Sequence, residues 1–285
     1  MAGDRQINTV LVTGASSGIG RSTCLYLAGR GYSVIATSRA MARLEGLLSE
    51  ASAGGLTVHG VELDINVDDQ VEHVMRQVLT DHGTIDALVN NAGYGLWGPV
   101  QSLAIDELRA QFETNLFATV RMAKAVLPGM LAQRAGKIVN VSSILGRMGT
   151  PFNGAYASSK FALEGLSESM RAELWPFGVH VAIVEPGLVE TDFQQNQVRA
   201  SGSEDPELPY APYMQRYSSR HQRYNRWATD PAKVSRVIHK ILRSRRPSFR
   251  YPVGTDARLG MLGARFLPER LFQTMVSRVT LGRVF

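Results

Sequence analysis

The sequence predicts an α/β fold built on a doubly wound parallel sheet of about seven strands. Short apolar, β-rich runs alternate with stretches of helical periodicity, an order typical of parallel sheets. Small or polar clusters follow several of these runs, and ligands bind such sheets beyond the carboxyl ends of the strands. The predicted strands are 7–13, 33–38, 56–63, 85–90, 137–141, 179–184 and 248–252.

We expect one domain over residues 1–285, because neither internal repeats nor a low-complexity linker divides the chain. Apolar residues make up 44% of the chain, which is ordinary for a globular core. The one cysteine, Cys24, excludes an intrachain disulfide. The short polar start and the lack of an apolar run of about 18 residues favour a cytoplasmic protein. We expect no metal and no nucleic-acid partner.

The net charge of +6 is unevenly distributed along the chain. Residues 216–285 carry 16 Lys and Arg against three Asp and Glu, whereas residues 1–215 are net negative. The basic part could contact anionic lipid, an acidic carrier protein or a phosphate-bearing substrate. A solvated arginine-rich surface is the simpler interpretation. We expect residues 256–285 to form a basic helical extension that packs on the domain, with peripheral membrane contact left open.

A glycine-rich turn follows the first strand and leads into a helix over residues 21–30. Its glycines permit a tight backbone and the close approach of a pyrophosphate. The start of the helix supplies free N–H donors and the positive end of the helix dipole. The sequence therefore predicts a dinucleotide site made of Gly14, Ser16, Ser17, Gly18, Ile19 and Gly20.

The second strand ends in Ser38 and Arg39. Sites for the unphosphorylated cofactor usually hold the ribose 2′-hydroxyl with an acidic residue near this position. An arginine can instead bind a 2′-phosphate through paired hydrogen bonds. We therefore predict NADP(H) as the cofactor, the alternative being that Arg39 only opens the next helix.

The remaining strand ends supply further candidates for the same edge. The cofactor candidates there are Asp64, Ile65, Asn91, Ala92, Gly93, Pro186, Gly187, Val189 and Thr191. The candidates for a substrate wall are Tyr94, Leu96, Trp97, Leu145, Phe152, Leu188 and Phe193. The loop with Tyr94 and Trp97 could equally cap the sheet. Residues 192–228 lack clean periodicity, and we interpret this long irregular segment as a substrate lid.

Tyr156 and Lys160 lie four residues apart in a predicted helix that runs to Leu174. At this spacing the two side chains share one face of the helix. A nearby ammonium favours the phenolate and is expected to lower the tyrosine pKa, so that the phenol can exchange a proton with an alcohol or carbonyl oxygen. Ser143, at the end of the fifth strand, could hydrogen-bond the same substrate oxygen.

Together these motifs resemble the short-chain dehydrogenase/reductase family. The resemblance covers nearly all of residues 7–249 and includes the glycine turn, Asp64, residues 90–93, Asn115, Ser143, Tyr156 with Lys160, and Pro186-Gly187 with Thr191. It implies a Rossmann-type fold. It also implies that hydride passes between nicotinamide C4 and a substrate carbon.

The resemblance assigns roles to individual residues. Tyr156 would be the general acid/base, Lys160 would lower its pKa and hold the nicotinamide ribose, and Ser143 would position the substrate carbonyl. Asn115 would hold a water that links Lys160 to solvent. From its helical context alone, Asn115 would be a core residue that needs hydrogen-bond partners.

A narrower likeness is to the 17β-hydroxysteroid and retinol dehydrogenase branch, and residues 95–99, 149–153, 160–169 and 176–180 carry it. It implies a lipophilic ketone, aldehyde or alcohol as substrate. It also implies a homodimer or homotetramer, because the family is mostly dimeric or tetrameric. Two alternatives stay open. One is a ketoreductase for β-ketoacyl groups on an acyl carrier or coenzyme A, and the other is a non-catalytic NADP-sensing protein.

Overall fold

The computed structural model describes residues 7–193, 196–224 and 228–282, with the backbone alone for residues 221–224. Positions 194–195 and 225–227 of the predicted lid lie outside the described residues, as do positions 283–285 of the predicted extension.

Within the described residues the chain forms two sheets. The strands are β1 (Thr9–Val12), β2 (Ser33–Ser38), β3 (Val58–Glu62), β4 (Ala87–Asn90), β5 (Leu96–Trp97), β6 (Gly136–Val141), β7 (Val179–Pro186), β8 (Val198–Arg199) and β9 (Arg250–Val253). Seven of these described strands form the central sheet, in the order β3–β2–β1–β4–β6–β7–β9. All of its pairings are parallel, which confirms the predicted fold class.

Helices cover both faces of the central sheet. They are α1 (Gly18–Ala28), α2 (Glu45–Ala53), α3 (Asp68–His82), α4 (Ile105–Phe112), α5 (Ala118–Ala132), α6 (Gly154–Leu174), α7 (Ala211–Tyr224), α8 (Pro231–Arg243), α9 (Thr255–Phe266) and α10 (Glu269–Leu281). Side chains alternate along β1, so that Val10 and Val12 join α1, α2 and α8 in one core while Leu11 joins α3, α5 and α6 in the other. Burial on both faces explains the continuous apolar runs of the strands.

The strand order creates a crevice next to β1. The chain runs outward from β1 through β2 to β3, and then returns to place β4 on the other side of β1. The connections therefore leave the carboxyl ends of β1 and β4 in opposite directions, which opens a binding crevice between them.

Two segments differ from the sequence prediction. Residues 192–228 are less irregular than expected, because α7 fills 14 of them and β8 pairs with β5 in a second small sheet. The buried side of α7 includes Met214 and the partly buried Tyr217, a pattern that an aliphatic periodicity search misses. The predicted helix over 105–133 is interrupted by a π-helical turn at Glu113–Phe117, and such turns are frequent at functional sites.

The described C-terminal helices, α9 and α10, pack on the carboxyl edge of the sheet. The α9 backbone approaches the turn after β6 so closely that a Cβ at Gly260 would lie 2.6 Å from Cδ1 of Ile144. A Cβ at Gly263 would lie 3.2 Å from the Phe272 ring, so α9 and α10 also pack closely. Within the described residues, helices long and apolar enough to cross a membrane are absent.

A buried acidic pair joins α6, β7 and β9 through one arginine. The guanidinium of Arg250 donates to Glu164 at 2.9 Å and lies 3.8 Å from Glu185, while it also contacts the exposed Glu168 at 3.2 Å. Both oxygens of Glu185 are buried and accept no hydrogen bond within the described residues. Burial, together with the neighbouring Glu164, raises the pKa of Glu185 to about 7.

Glu185 therefore makes folding depend on pH. Because its folded-state pKa exceeds the value of 4.5 for an unperturbed glutamate, its contribution to stability is complete below about pH 4.5 and is lost as the pH rises through about 7. We predict that Glu185→Gln removes this loss, so that at about pH 8 the variant gains up to about 3 kcal/mol relative to the wild type.

Chemical denaturation across this pH range measures the effect. Glu168→Gln is the matched control, because Glu168 contacts the same arginine from an exposed position and should leave the pH dependence as it is. If the free energy of unfolding changed with pH in the same way in the wild type and in Glu185→Gln, the raised pKa would not belong to Glu185.

Candidate active site

The crevice holds a cavity of about 1640 Å³ at the carboxyl edge of the central sheet. It is lined by residues that follow β1, β2, β4, β6 and β7, together with residues of α6, α7, α9 and α10. Predicted site residues that line it are Gly14, Ser16, Ser17, Gly18, Ile19, Ser38, Arg39, Ile65, Asn91, Ala92, Gly93, Tyr94, Ser143, Leu145, Tyr156, Lys160, Pro186, Gly187, Leu188, Val189, Thr191 and Phe193.

The glycine turn has the shape that a dinucleotide needs. Gly14 and Gly18 have φ values of 65° and 53°, which favour glycine. A Cβ at Gly14 would lie 2.7 Å from Cα of Ala92, and a Cβ at Gly20 would lie 2.2 Å from the Gly14 carbonyl oxygen. The turn therefore packs tightly against its surroundings and leaves the start of α1 bare toward the cavity, which fits the binding of a pyrophosphate.

Thr13 and Asn91 fix this turn to the end of β4. The Thr13 hydroxyl accepts hydrogen bonds from the amides of Asn91 and Ala92, at 3.0 and 3.1 Å. The Asn91 side chain donates to the carbonyls of Thr13 and Gly14, at 3.0 and 3.1 Å. These bonds satisfy polar groups that would otherwise lack hydrogen-bond partners at the crevice between β1 and β4. Sequence reasoning gave Thr13 no role, although its place at the end of the first strand was visible.

Two predicted cofactor residues lie behind the cavity wall. Gly20 is a packing residue, because its missing side chain lets α1 approach the Gly14 carbonyl. The Asp64 carboxylate accepts a hydrogen bond from the Asn66 amide at 3.0 Å, and it is Asn66 that lines the cavity. Neither residue lines the cavity, and direct contact of Gly20 or Asp64 with the cofactor stays a prediction.

Arg39 reaches the cavity beside a second cation that sequence reasoning missed. Thr37, Ser38, Arg39 and Arg43 line its end near β2, and both arginine side chains are exposed. In a site for the unphosphorylated cofactor, an acidic residue would stand near the position of Arg39. Here that position is surrounded by positive charge instead. This arrangement fits an additional phosphate on the adenosine ribose.

Ser143, Tyr156 and Lys160 converge between β6 and α6. Ser143 is extended just beyond β6, and its hydroxyl accepts a hydrogen bond from the Leu145 amide and forms another with Tyr156. The Lys160 ammonium donates to the carbonyl of Val141, the last residue of β6, at 2.9 Å. All three side chains are buried, and all three line the cavity.

The pKa values of this group differ from the sequence expectation. Burial raises the pKa of Tyr156 to about 12, opposed by the hydrogen bond from Ser143. Burial lowers the pKa of Lys160 to about 8, opposed by the charge of Glu164. Lys160 Nζ lies 5.7 Å from the centre of the phenol ring and is held by a carbonyl. The expected lowering of the tyrosine pKa is therefore wrong for the protein alone, because desolvation of the phenolate outweighs the stabilisation from Ser143.

Asn115 stands in the π-helical turn that interrupts the helix. Its side chain donates to the Tyr94 carbonyl and the Ser159 hydroxyl and accepts from the Tyr94 amide, at 3.0–3.1 Å. Asn115 thus links the loop after β4 to α6 from behind the cavity wall. A Cβ at Gly93 would lie 2.9 Å from its oxygen and 3.7 Å from Lys160 Nζ, so both side chains lie close to the Gly93 backbone.

The substrate wall is only partly the one predicted. Tyr94, Leu145, Leu188 and Phe193 line the cavity, and the Phe193 ring lies 5.6 Å from that of Tyr156. Leu96, Trp97 and Phe152 do not, which corrects the prediction. The pairing of β5 with β8 buries Leu96, while the rings of Trp97 and Phe152 pack on each other at 5.7 Å and on Tyr217.

Sequence reasoning missed much of the apolar wall. Tyr217, from α7, stands in front of Trp97 and Phe152 and lines the cavity in their place. The rest of the wall comes from the C-terminal helices, through Leu259, Leu262, Phe266, Leu267, Met275, Val276 and Val279. The amphipathic pattern of these helices was visible, but it does not say which part of the domain they cover.

Comparisons with known proteins agree with this geometry. The family model described as short chain dehydrogenase matches residues 8–202. The chain is 38% identical over 259 residues to retinol dehydrogenase 8 of Bos taurus, a match that covers 87% of this chain and 81% of the relative. It is 35% identical over 269 residues to the 3-ketodihydrosphingosine reductase of Bacteroides thetaiotaomicron, covering 94% of this chain and 96% of the relative.

A solved structure extends the match to the whole fold. A short-chain dehydrogenase from Streptomyces avermitilis superposes with a TM-score of 0.81 at 31% identity, over 98% of this chain and 99% of its own. The match to retinol dehydrogenase 8 also confirms the narrower resemblance stated from the sequence. The protein therefore belongs to the short-chain dehydrogenase/reductase family of oxidoreductases.

Proposed function

We propose that the protein is an NADP(H)-dependent oxidoreductase that interconverts a carbonyl and an alcohol on a lipophilic small molecule. The observation that carries this proposal is the convergence of Ser143, Tyr156 and Lys160 on one cavity with an apolar outer wall. When bound, the dinucleotide supplies hydride chemistry at nicotinamide C4. The residues that would hold it are those of the glycine turn, Arg39, Asn91, Lys160 and Thr191.

The protein side of the reaction is proton transfer at the substrate oxygen. The raised pKa keeps the proton on Tyr156 at neutral pH, so the phenol acts as the acid when a carbonyl is reduced. The Ser143 hydroxyl lies beside it and can donate a second hydrogen bond that orients the carbonyl. As the proton leaves, the phenolate forms in a buried site where the Lys160 ammonium is the adjacent positive charge, and this charge lowers the cost of the transfer.

The apolar wall supports a lipophilic substrate. Leucine, phenylalanine, methionine and valine side chains of α9 and α10 line the cavity beyond Tyr156, so a long or polycyclic hydrocarbon can be buried there. The two relatives described above are named for retinol and for a ketodihydrosphingosine, both lipophilic molecules. We therefore place steroid-like, retinoid-like and long-chain aliphatic carbonyl compounds first.

A ketoreductase for β-ketoacyl groups on an acidic carrier is the second candidate. The exposed arginines near the cavity, including Arg258 and Arg265, favour it. Turnover of a carrier-linked β-ketoacyl group faster than that of any free lipophilic carbonyl compound would select this function.

We predict that Tyr156→Phe lowers kcat at least about a hundredfold on every carbonyl substrate, because the variant retains the cavity but has no proton to give. The measurement is NADPH oxidation with steroid, retinoid, aliphatic and β-ketoacyl carbonyl compounds. Tyr26→Phe, on α1 and outside the cavity, is the matched control and should retain full activity. Near-normal turnover by Tyr156→Phe would refute the mechanism, and inactivity of the wild type across the panel would favour the NADP-sensing alternative.

We predict that Arg39→Asp shifts the ratio of kcat/KM values from NADPH toward NADH by at least about tenfold, because the new carboxylate repels a 2′-phosphate and can accept from a ribose hydroxyl. Arg236→Asp makes the same charge change at an exposed position of α8 and should leave the ratio unaltered. An unchanged ratio in Arg39→Asp would exclude a role for Arg39 in cofactor choice.

We predict that kcat declines as the pH rises through about 8, where Lys160 loses its proton. In Glu164→Gln the decline should begin at lower pH, because the variant lacks the negative charge that raises the Lys160 pKa. Glu168→Gln, one turn further along α6 and exposed, should retain the wild-type profile. Identical pH profiles for the wild type and Glu164→Gln would show that Glu164 acts only in packing.

A further inference from the structure

The α9–α10 pair presents an exposed apolar face, which we define as Leu259, Leu262, Phe266, Leu267, Leu271, Met275 and Val279. Leu259, Leu262 and Phe266 follow one side of α9, while Leu271, Met275 and Val279 recur every four residues along α10. The exposed fraction reaches 63% for Leu259 and 70% for Phe266. A continuous face of this kind is unusual on a protein that works free in water and marks an interaction surface.

The inward side of the same helices is already occupied. Phe272, Val276 and Leu281 are buried, and Ala257 is buried on α9. The Arg220 guanidinium donates to the last carbonyls of α10, at Arg278 and Val279. Each helix is therefore anchored on the domain through one side, so the apolar face on the other side is a fixed feature of the fold.

The apolar face continues into the active-site cavity. Leu259, Leu262, Phe266, Leu267, Met275 and Val279 are exposed to solvent and also line the cavity. The cavity therefore opens at this face, and an apolar path leads from the surface toward Tyr156.

Positive charge accompanies the apolar face. Arg258, Arg265, Arg270 and Arg278 are all exposed on the two helices. Of the two acidic residues between positions 255 and 282, Asp256 is committed to the domain, because its carboxylate accepts from the Leu188 amide at 2.6 Å. Glu269, the other acidic residue, is exposed. The outward surface thus combines large apolar side chains with four guanidinium groups against this one carboxylate, a composition typical of helices that lie in a lipid interface.

We propose that the apolar face docks on a phospholipid bilayer that contains anionic lipid, so that the cavity opens at the lipid surface. The arginines would pair with lipid phosphates while the leucine and phenylalanine side chains enter the acyl boundary. A second copy of the chain fits less well. A two-fold contact through the same face would oppose the two sets of arginines and cover the opening of the cavity.

The test is vesicle flotation with the full chain, using phosphatidylcholine vesicles with and without phosphatidylglycerol. We expect the wild type to float with the anionic vesicles and to be released by added salt, which screens the arginine contacts. The double variant Leu271→Ser with Arg270→Glu changes residues that lie outside the cavity. It should lower partitioning at least about tenfold.

The matched control is Val100→Ser with Arg236→Glu, which makes the same chemical changes at exposed positions elsewhere. It should float as the wild type does. Both double variants should retain wild-type turnover of a water-soluble carbonyl compound without vesicles, which shows that they are folded. This readout also separates failure of the docking proposal from failure of the proposed reaction.

Three results would overturn the proposal. The wild type could stay with the soluble fraction at every lipid composition, or the two double variants could lose flotation equally. Alternatively, light scattering could show a wild-type oligomer that Leu271→Ser with Arg270→Glu dissociates, in which case the face is an interface between copies. If a variant fails to fold, release of the wild type from anionic vesicles by added salt still shows whether charge contributes to binding.

Discussion

The hydrogen bond from Lys160 to the Val141 carbonyl ties α6, which carries Tyr156, to the end of a central strand. A buried ammonium is costly unless it is hydrogen-bonded and has charge to balance it. Here the carbonyl at the end of β6 supplies the bond at 2.9 Å, and Glu164 supplies the nearby negative charge. Because Ser143 lies two residues beyond Val141, the same bond sets the helix where the Tyr156 hydroxyl can meet the serine.

The carboxylate that supports Lys160 also reduces the charge compensation of a second buried carboxylate. Glu164 contacts Arg250, and Arg250 is also the nearest positive charge to the buried Glu185. Two carboxylates that share one guanidinium cannot both be fully compensated, so the one without hydrogen bonds retains its proton more strongly. The favourable environment of Lys160 is thus built at some cost in stability near neutral pH, a trade that is common where charge is needed for catalysis.

Local motifs made the fold, and the convergence of Ser143, Tyr156 and Lys160 on one cavity, predictable from the sequence. The glycine turn, the Tyr156–Lys160 spacing and the polar ends of strands each follow from residues close together in the chain. The errors arose where distant segments meet. The pairing of Leu96 with Val198 turned Leu96 and Trp97 away from the cavity, and the left-handed backbone at Phe152 directed its ring toward Trp97 and Tyr217. The predicted direction of the Tyr156 pKa shift was wrong for the same reason, since the degree of burial depends on the whole fold.

The limits of the family match divide the site into two parts. Residues 8–202 hold the glycine turn, Asn115, Ser143, Tyr156 and Lys160, whereas Tyr217 and the apolar wall of α9 and α10 follow later in the chain. The reacting groups are held by backbone contacts within the sheet and α6. The apolar wall contacts that frame through the close approach of Gly260 to Ile144, and Gly263 packs α9 on α10 within the wall. Membership of the family therefore bears on the first part, whereas our proposal of a lipophilic substrate rests mainly on the apolar wall of the C-terminal helices.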